Sequence, residues 1–166
     1  MLPKILIRSL VAIVVIGLSF MNFTLPAQAD SVDLYLRRYL QVTEPVPIEI
    51  NPQGETRLFS PEGLHEGKEL FKQHCLNCHV GGATLPYPVV SLSLEDLSGA
   101  TPPRNNLEGL VAYMRSPMSY DGSEDIYWCR EVSETWLPTD QVENMAAFMI
   151  RAAQKAPGWG TKDFKG

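Results

Sequence analysis

Three residues within a span of five constrain this chain more than any others: Cys75, Cys78 and His79, in the run Cys75-Leu76-Asn77-Cys78-His79. Two thiols separated by two residues sit on one side of a helical turn. An imidazole directly after the second can then point beneath whatever the sulfurs hold. C-x-x-C-H is the attachment pattern of a c-type haem, in which the thiols add to the porphyrin vinyl groups and the histidine ligates the iron. A C-x-x-C pair alone would also suit a thioredoxin-like dithiol or half of a zinc site. The adjacent histidine speaks against the dithiol. The absence of a second cysteine pair, or of H-x-x-x-H, speaks against zinc, whose closed sites take four ligands. The expectation is one covalently bound haem c per chain, with Cys75 and Cys78 as its thioethers and His79 as the proximal iron ligand.

The N-terminus looks like a targeting segment. Lys4 and Arg8 form a basic start, Leu10 to Phe20 is apolar apart from Gly17 and Ser19, and Ala27-Gln28-Ala29 is a small-residue cleavage site. The apolar run is too short for a comfortable membrane span, which needs about 20 residues. A removed signal peptide over 1–29 leaves a chain of 137 residues from Asp30, the size of one domain. Without Lys4 and Arg8, 12 basic residues face 19 acidic ones, a formal charge of −7. That balance speaks against nucleic acid or an anionic membrane surface as a direct partner. Export agrees with haem c chemistry, which takes place outside the cytoplasm. It also makes Cys129, left over once the haem thiols are counted, worth noticing.

Taken in order, the mature chain opens with a helical arm over 30–45. Val32, Tyr35, Leu36, Tyr39 and Leu40 share one face and Arg37 and Arg38 the other. The arm can pack on its own domain, which its apolar face favours, or dock on a larger partner. Val46, Ile48 and Ile50, the turn Asn51-Pro52-Gln53-Gly54, and Thr56 and Leu58 read as a hairpin. Ser60-Pro61-Glu62 starts a helix whose apolar stripe (Leu64, Gly67, Leu70, Phe71) runs into Cys75. Gly67 weakens that helix and is best explained by close approach of the C-terminal helix. Gly81-Gly82 lets the chain turn, and Pro86 and Pro88 keep the next loop extended. Ser93–Leu97 suggests a helical turn, and Asn106 caps a helix over Leu107–Arg115. Thr139 is expected to cap a last helix to about Ala156, before a polar tail over 161–166. The whole reads as a mainly α, cytochrome c-like monohaem domain over 46–160, with a short N-terminal β-hairpin and long ordered loops that pack on the haem.

The sixth iron ligand must follow the motif in sequence, since His65 and His74 precede it on the helix that carries the cysteines. Sulfur remains. Met118 lies in a loop just past a helix stop, whereas Met114, Met145 and Met149 fall on helix faces as core residues. Cys129 lies in a later loop, beside Trp128. An open or water-bound site is the remaining alternative.

Three segments bear a resemblance. Cys75 to Gly82 (CLNCHVGG), the stretch TPPRNNLEGLVAYM from Thr101 to Met114, and the turn Ser119-Tyr120-Asp121-Gly122 are similar to the cytochrome c-550 family. These are the extrinsic lumenal cytochromes of cyanobacterial and algal photosystem II. The resemblance implies a low-potential haem and a distal histidine shortly after the Tyr-Asp-Gly turn. No histidine stands there in this chain, and Cys129 occupies nearly that place. The chain therefore resembles a divergent paralogue with a thiolate as distal ligand and Met118 as the runner-up. A metal depresses the pKa of a thiol it binds, and axial ligands tune haem potentials over about 0.8 V, an anionic one favouring ferric iron. The arm and the segment 130–137 look unlike the family.

The resemblance implies a peripheral location on the lumenal face of the thylakoid membrane, photosystem II lumenal subunits and a redox protein as partners, and no enzymatic activity. An extrinsic subunit whose haem is only structural is an alternative, as is a diffusible His/Met electron carrier. A haem enzyme or sensor finds little support, for no distal His–Arg pair is evident. The leader and motif together predict a mature protein that begins at Asp30 and keeps its haem through denaturing extraction. Intact mass spectrometry checks both; an uncleaved start or a haem-free chain contradicts them.

Overall fold

The computed structural model of the chain describes residues 33–85 and 90–161. The expected leader, Pro86, Pro88 and residues 162–166 lie outside the described residues. In chain order the elements are α1 (Leu34–Leu40), β1 (Val46–Glu49), β2 (Thr56–Phe59), α2 (Pro61–His74), a 3-10 turn at Val80–Gly82, α3 (Leu94–Gly99), α4 (Leu107–Arg115) and α5 (Thr139–Lys155). None of the described helices is long and apolar enough to cross a membrane.

α1 is shorter than the sequence pattern suggests. Asp33 caps it by accepting from Tyr35 N at 2.7 Å, and Gln41 ends it in the left-handed conformation. Val42 N then bonds back to Leu36 O, and its side chain turns fully into the core, which stops the helix before Glu44-Pro45 can. Leu36 and Leu40 are buried, and Arg151 Nε on α5 donates to the Leu40 carbonyl at 2.9 Å. α1 therefore packs on its own domain.

The hairpin is antiparallel, with Val46 opposite Phe59 and Ile48 opposite Arg57. This register turns Phe59 inward and leaves Leu58, opposite Pro47, 68% exposed, so the expected inward alternation through Leu58 does not hold on β2. Asn51 organises the turn. Its Oδ1 accepts from the Gln53 and Glu55 amides, and Gly54 takes the positive φ (80°) that closes it. Glu108 N bonds to Ile50 O and joins the hairpin to α4.

α2 and α5 form the body. Ser60 caps α2 through Gly63 N, with Pro61 at its first position and Glu62 in its first turn. α5 starts differently from expectation. Pro138, not Thr139, holds the N-cap position, and no side chain caps the helix, because a proline ring carries no hydrogen-bond acceptor. The two helices meet at Gly63 and Gly67, one turn apart on α2, against Asn144. Glu66 ties the seam by accepting from Gln141 Nε2 (3.2 Å) and Asn144 Nδ2 (2.9 Å). Phe71, Phe148 and Trp159 then stack on one another with centroids 5.6 to 5.9 Å apart, closing the C-terminal segment onto both helices.

A β-carbon at Gly67 would run into the backbone carbonyl of Asn144. Ala is the better helix former by about 1 kcal/mol, but a backbone carbonyl inside a packed seam cannot yield cheaply. Gly67→Ala is expected to destabilise the domain by about 1–3 kcal/mol. Thermal unfolding should show a Tm several degrees lower, and an unchanged or raised Tm would contradict the close packing.

Candidate metal centre

The C-x-x-C-H run is a turn placed by the end of α2. Cys75 is the helix C-cap, its N–H bonded to Phe71 O at 2.8 Å, and the Cys78 and His79 amides both bond to Cys75 O, at 3.1 and 2.9 Å. The backbone thus curls around one carbonyl, which brings the two cysteines and the histidine together. Gly81 and Gly82 follow with φ of 59° and 80°. At Gly82 a β-carbon would lie 2.6 Å from the Trp159 indole, so the turn is clamped against that ring. Trp159 is fixed in turn by Nε1 donating to Leu92 O at 2.9 Å, and Gly160 N bonds to Gly81 O at 2.8 Å.

The Cys75 thiol is not activated for thiol exchange. Cys75 is half-buried against Met145, Sγ to Sδ 3.9 Å. Its thiol pKa is pushed up to about 11, first by burial and then by the neighbouring Cys129 and Cys78. Dithiol oxidoreductases lower a cysteine pKa; the opposite happens here. Burial holds His79 below the usual imidazole range, against a smaller opposing effect from a backbone hydrogen bond to Ala83. Its Nδ1 lies 3.1 Å from Thr84 Oγ1. In the tautomer in which Nδ1 donates to Thr84 Oγ1, Nε2 is left as a lone-pair donor, the arrangement that metal-ligating histidines share.

Cys129 reaches the same region from the long segment between α4 and α5. It is half-buried, and its electrostatic influence is felt at Cys75 and at Tyr113 of α4. Two arginines shape this segment. Arg104 Nη2 donates to the Met118 and Ser119 carbonyls at 3.1 and 2.6 Å, and Arg115 Nη1 to the Val132 and Leu137 carbonyls at 2.6 and 2.9 Å. Met118 is engaged through its backbone, by Arg104 and by a β-bridge to Asp125. The remaining histidines are placed elsewhere. His65 Nδ1 pairs with Asp33 Oδ2 at 3.1 Å, and His74 sits edge-on to Trp136 with centroids 5.1 Å apart. Among the described residues, the group of acids and imidazole that could share an ion is Asp33, His65 and Glu69. The Lys68 ammonium already lies between Asp33 and Glu69 there.

The donor set fits haem c. Cys75 and Cys78 are free thiols in one turn with His79, whose Nδ1 is hydrogen-bonded with Thr84, and Cys129 is a further free thiol whose charge is felt at Cys75. Apolar side chains near both parts of the site, among them Val80, Leu85 and Trp128, are exposed enough to cover a large planar group. Thr84, Arg104 and Tyr113 were not singled out from sequence. Arg104 had one signal, a charge between a Pro-Pro pair and a helix cap; Thr84 and Tyr113 had none.

A mainly helical domain with a small antiparallel hairpin, and with C-x-x-C-H at the end of its first long helix, is a cytochrome c-like domain. Residues 38–165 match the cytochrome c-550 domain, and the chain belongs to that family. The match takes in the end of α1 and the 130–137 segment, both of which look foreign to the family in sequence. The chain is 57% identical over 136 residues to a cytochrome c-550-like protein of Thermosynechococcus vestitus, covering 82% of this chain and 78% of that one. It is 51% identical over 129 residues to the photosystem II extrinsic protein V of Gloeobacter violaceus, covering 78% and 69%. The crystal structure of the PsbV2 cytochrome from Thermosynechococcus elongatus superposes with a TM-score of 0.77 at 58% identity, over 78% of this chain and 99% of that one.

The turn that leads toward Cys129 has its own titration. Asp121 accepts from the Ser119 and Ser123 hydroxyls, both at 2.7 Å, and from Ser123 N at 3.1 Å. Bonds to the charged form hold its pKa down to about 2. A depressed carboxylate stabilises the fold above its unfolded pKa of about 3.9, and that contribution is lost as pH falls through the folded value. Carbon-13 NMR titration is expected to place the Asp121 carboxyl near 2. An ordinary value would mean that the serine bonds do not form in solution.

Proposed function

We propose that this chain is a low-potential c-type cytochrome on the lumenal side of photosystem II, an electron carrier or extrinsic haem subunit with His/Cys-thiolate axial ligation. Cys75 and Cys78 tether haem c through thioether bonds. His79 is the proximal ligand, oriented through Thr84, and Cys129 is the distal ligand. Bound haem c supplies reversible one-electron exchange at iron. Photosystem II as the partner rests on family membership and on relatives named photosystem II extrinsic protein V. A thylakoid-lumen location follows from that partner and the leader-like N-terminus.

One observation supports the ligand assignment: Cys129 is a third free sulfur whose charge is felt at Cys75, while His65 and His74 are engaged with Asp33 and Trp136. A thiolate places a full negative charge on iron and favours the ferric state, whereas a thioether is neutral. The low potential follows from that charge. Met118 is the runner-up, since the distal position that the family resemblance implies falls near Cys129.

The ferric protein is expected to show a low-spin thiolate-type absorption and EPR spectrum and a strongly negative midpoint potential. Cys129→Ser should convert it to a high-spin or exogenously ligated form with a raised potential, and Met118→Ala should leave the spectrum alone. Protonation of the sulfur as pH falls weakens its bond to iron, so acid should promote loss or exchange of the distal ligand, most readily in the ferrous state. A wild-type spectrum retained in Cys129→Ser and abolished in Met118→Ala would make this a His/Met cytochrome and remove the low-potential argument.

A further inference from the structure

We propose that the exposed aromatic pair Tyr127 and Trp128, set in an acidic segment, is the docking surface for a diffusing redox protein that presents basic side chains around an apolar patch. This rests on the electron-carrier reading of the haem site.

The aromatic pair comes first. Tyr127 is 91% exposed and Trp128 59%, and their rings meet edge to face with centroids 5.4 Å apart. Tyrosine and tryptophan are favoured at the centres of interfaces, because each buries a large area with few rotatable bonds. The chain that presents them is held firmly. Ser119 N bonds to Glu124 O at 2.7 Å and Ile126 N to Pro117 O at 3.1 Å, while Arg104 Nη2 grips the Met118 and Ser119 carbonyls. A surface fixed before a partner arrives loses little entropy on binding.

Charge says what the partner must be. Between residues 117 and 138 five carboxylates, Asp121, Glu124, Asp125, Glu131 and Glu134, face one cation, Arg130, a formal charge of −4. All five acids are exposed, and among the described residues none of them forms an ion pair. Arg130 is committed to the Trp136 ring at 4.0 Å. Elsewhere acids are neutralised: Lys68 meets Asp33 and Glu69, and Arg57 meets Glu143. Glu124, Asp125 and Glu131 lie within four residues of Tyr127, so their backbones are within about 15 Å of it. At an ionic strength of about 0.01 M the Debye length is about 30 Å and these fields add; at about 0.15 M it is about 8 Å and they are largely screened. An unneutralised negative rim attracts a cationic surface and repels both an anionic membrane and a second copy of the same patch. Two rings and a charged rim make a small contact, of the kind transient redox encounters use.

The probe is a lysine-rich mitochondrial cytochrome c in its ferric form, mixed by stopped flow with the ferrous haem-loaded full chain. One electron passes from one haem iron to the other, and the second-order rate is followed against ionic strength. It is expected to fall about tenfold or more between about 0.01 and 0.2 M. Glu124→Gln/Glu131→Gln should lower the rate at low salt and flatten its salt dependence. Glu44→Gln/Glu108→Gln, an equal change in net charge at two exposed residues elsewhere, should do so far less. Tyr127→Ala should slow transfer at every ionic strength while the salt slope and the haem spectrum stay as in the wild type. A salt-independent rate, equal losses in the two charge variants, or a wild-type rate in Tyr127→Ala overturns the surface. A changed haem spectrum in Tyr127→Ala places that ring on the haem and overturns its docking role. Self-association in sedimentation velocity that Tyr127→Ala abolishes assigns the patch to a second copy and overturns the basic partner. A ferrous chain that passes no electron to the probe under any condition overturns the electron-carrier reading instead.

Discussion

The close approach of α2 and α5 at Gly67, where the Asn144 carbonyl fills the space a side chain would take, is the constraint on which the site depends. α2 runs directly into Cys75, so whatever fixes α2 also fixes the haem-binding turn. Met145, next to Asn144, is the residue whose sulfur lies against Cys75. One helix contact therefore supplies both the body of the domain and one wall of the metal centre. Glu66, bonded to Gln141 and Asn144, prevents the helices from sliding, because each of its oxygens has its own partner on α5.

The loops need a different device. Between α4 and α5 the chain runs through 116–138 with little regular structure, yet it must hold Cys129 in place. Arginine forks take over the role that a sheet would play. Arg104 and Arg115 each hold two backbone carbonyls of this segment, and each is braced by the helix it flanks or belongs to. The planar, permanently charged guanidinium suits this task, since it presents several donors at fixed angles and keeps them at any working pH. Arg130 over Trp136, at 4.0 Å, and His74 edge-on to the same ring tie the segment to the end of α2.

On the other side of the motif the constraint is aromatic. Trp159 meets Phe71, Phe148, the Gly82 backbone and the Leu92 carbonyl together. The turn carrying His79 is thereby pressed between α2 and the C-terminal segment, and burial there works against protonation of the imidazole.

Much of this was determined by sequence alone, for identifiable reasons. C-x-x-C-H names its cofactor because covalent attachment and ligation demand those residue types at that spacing. The caps at Ser60 and Asn106, the Asn51–Gly54 turn and the close approach at Gly67 are local statements about φ/ψ or side-chain size, and such statements survive folding. The end of α1, the inward face of β2 and the cap of α5 were misjudged. Each is decided by a neighbour distant in sequence or by a backbone bond that propensity does not count: Val42 entering the core, Phe59 pairing with Val46, Pro138 supplying the first acceptor. Sequence made Cys129 a candidate by elimination. Only the tertiary structure brought its charge within electrostatic reach of Cys75, Tyr113 and Arg104, because proximity across 54 residues is set by packing and has no local signature in the chain.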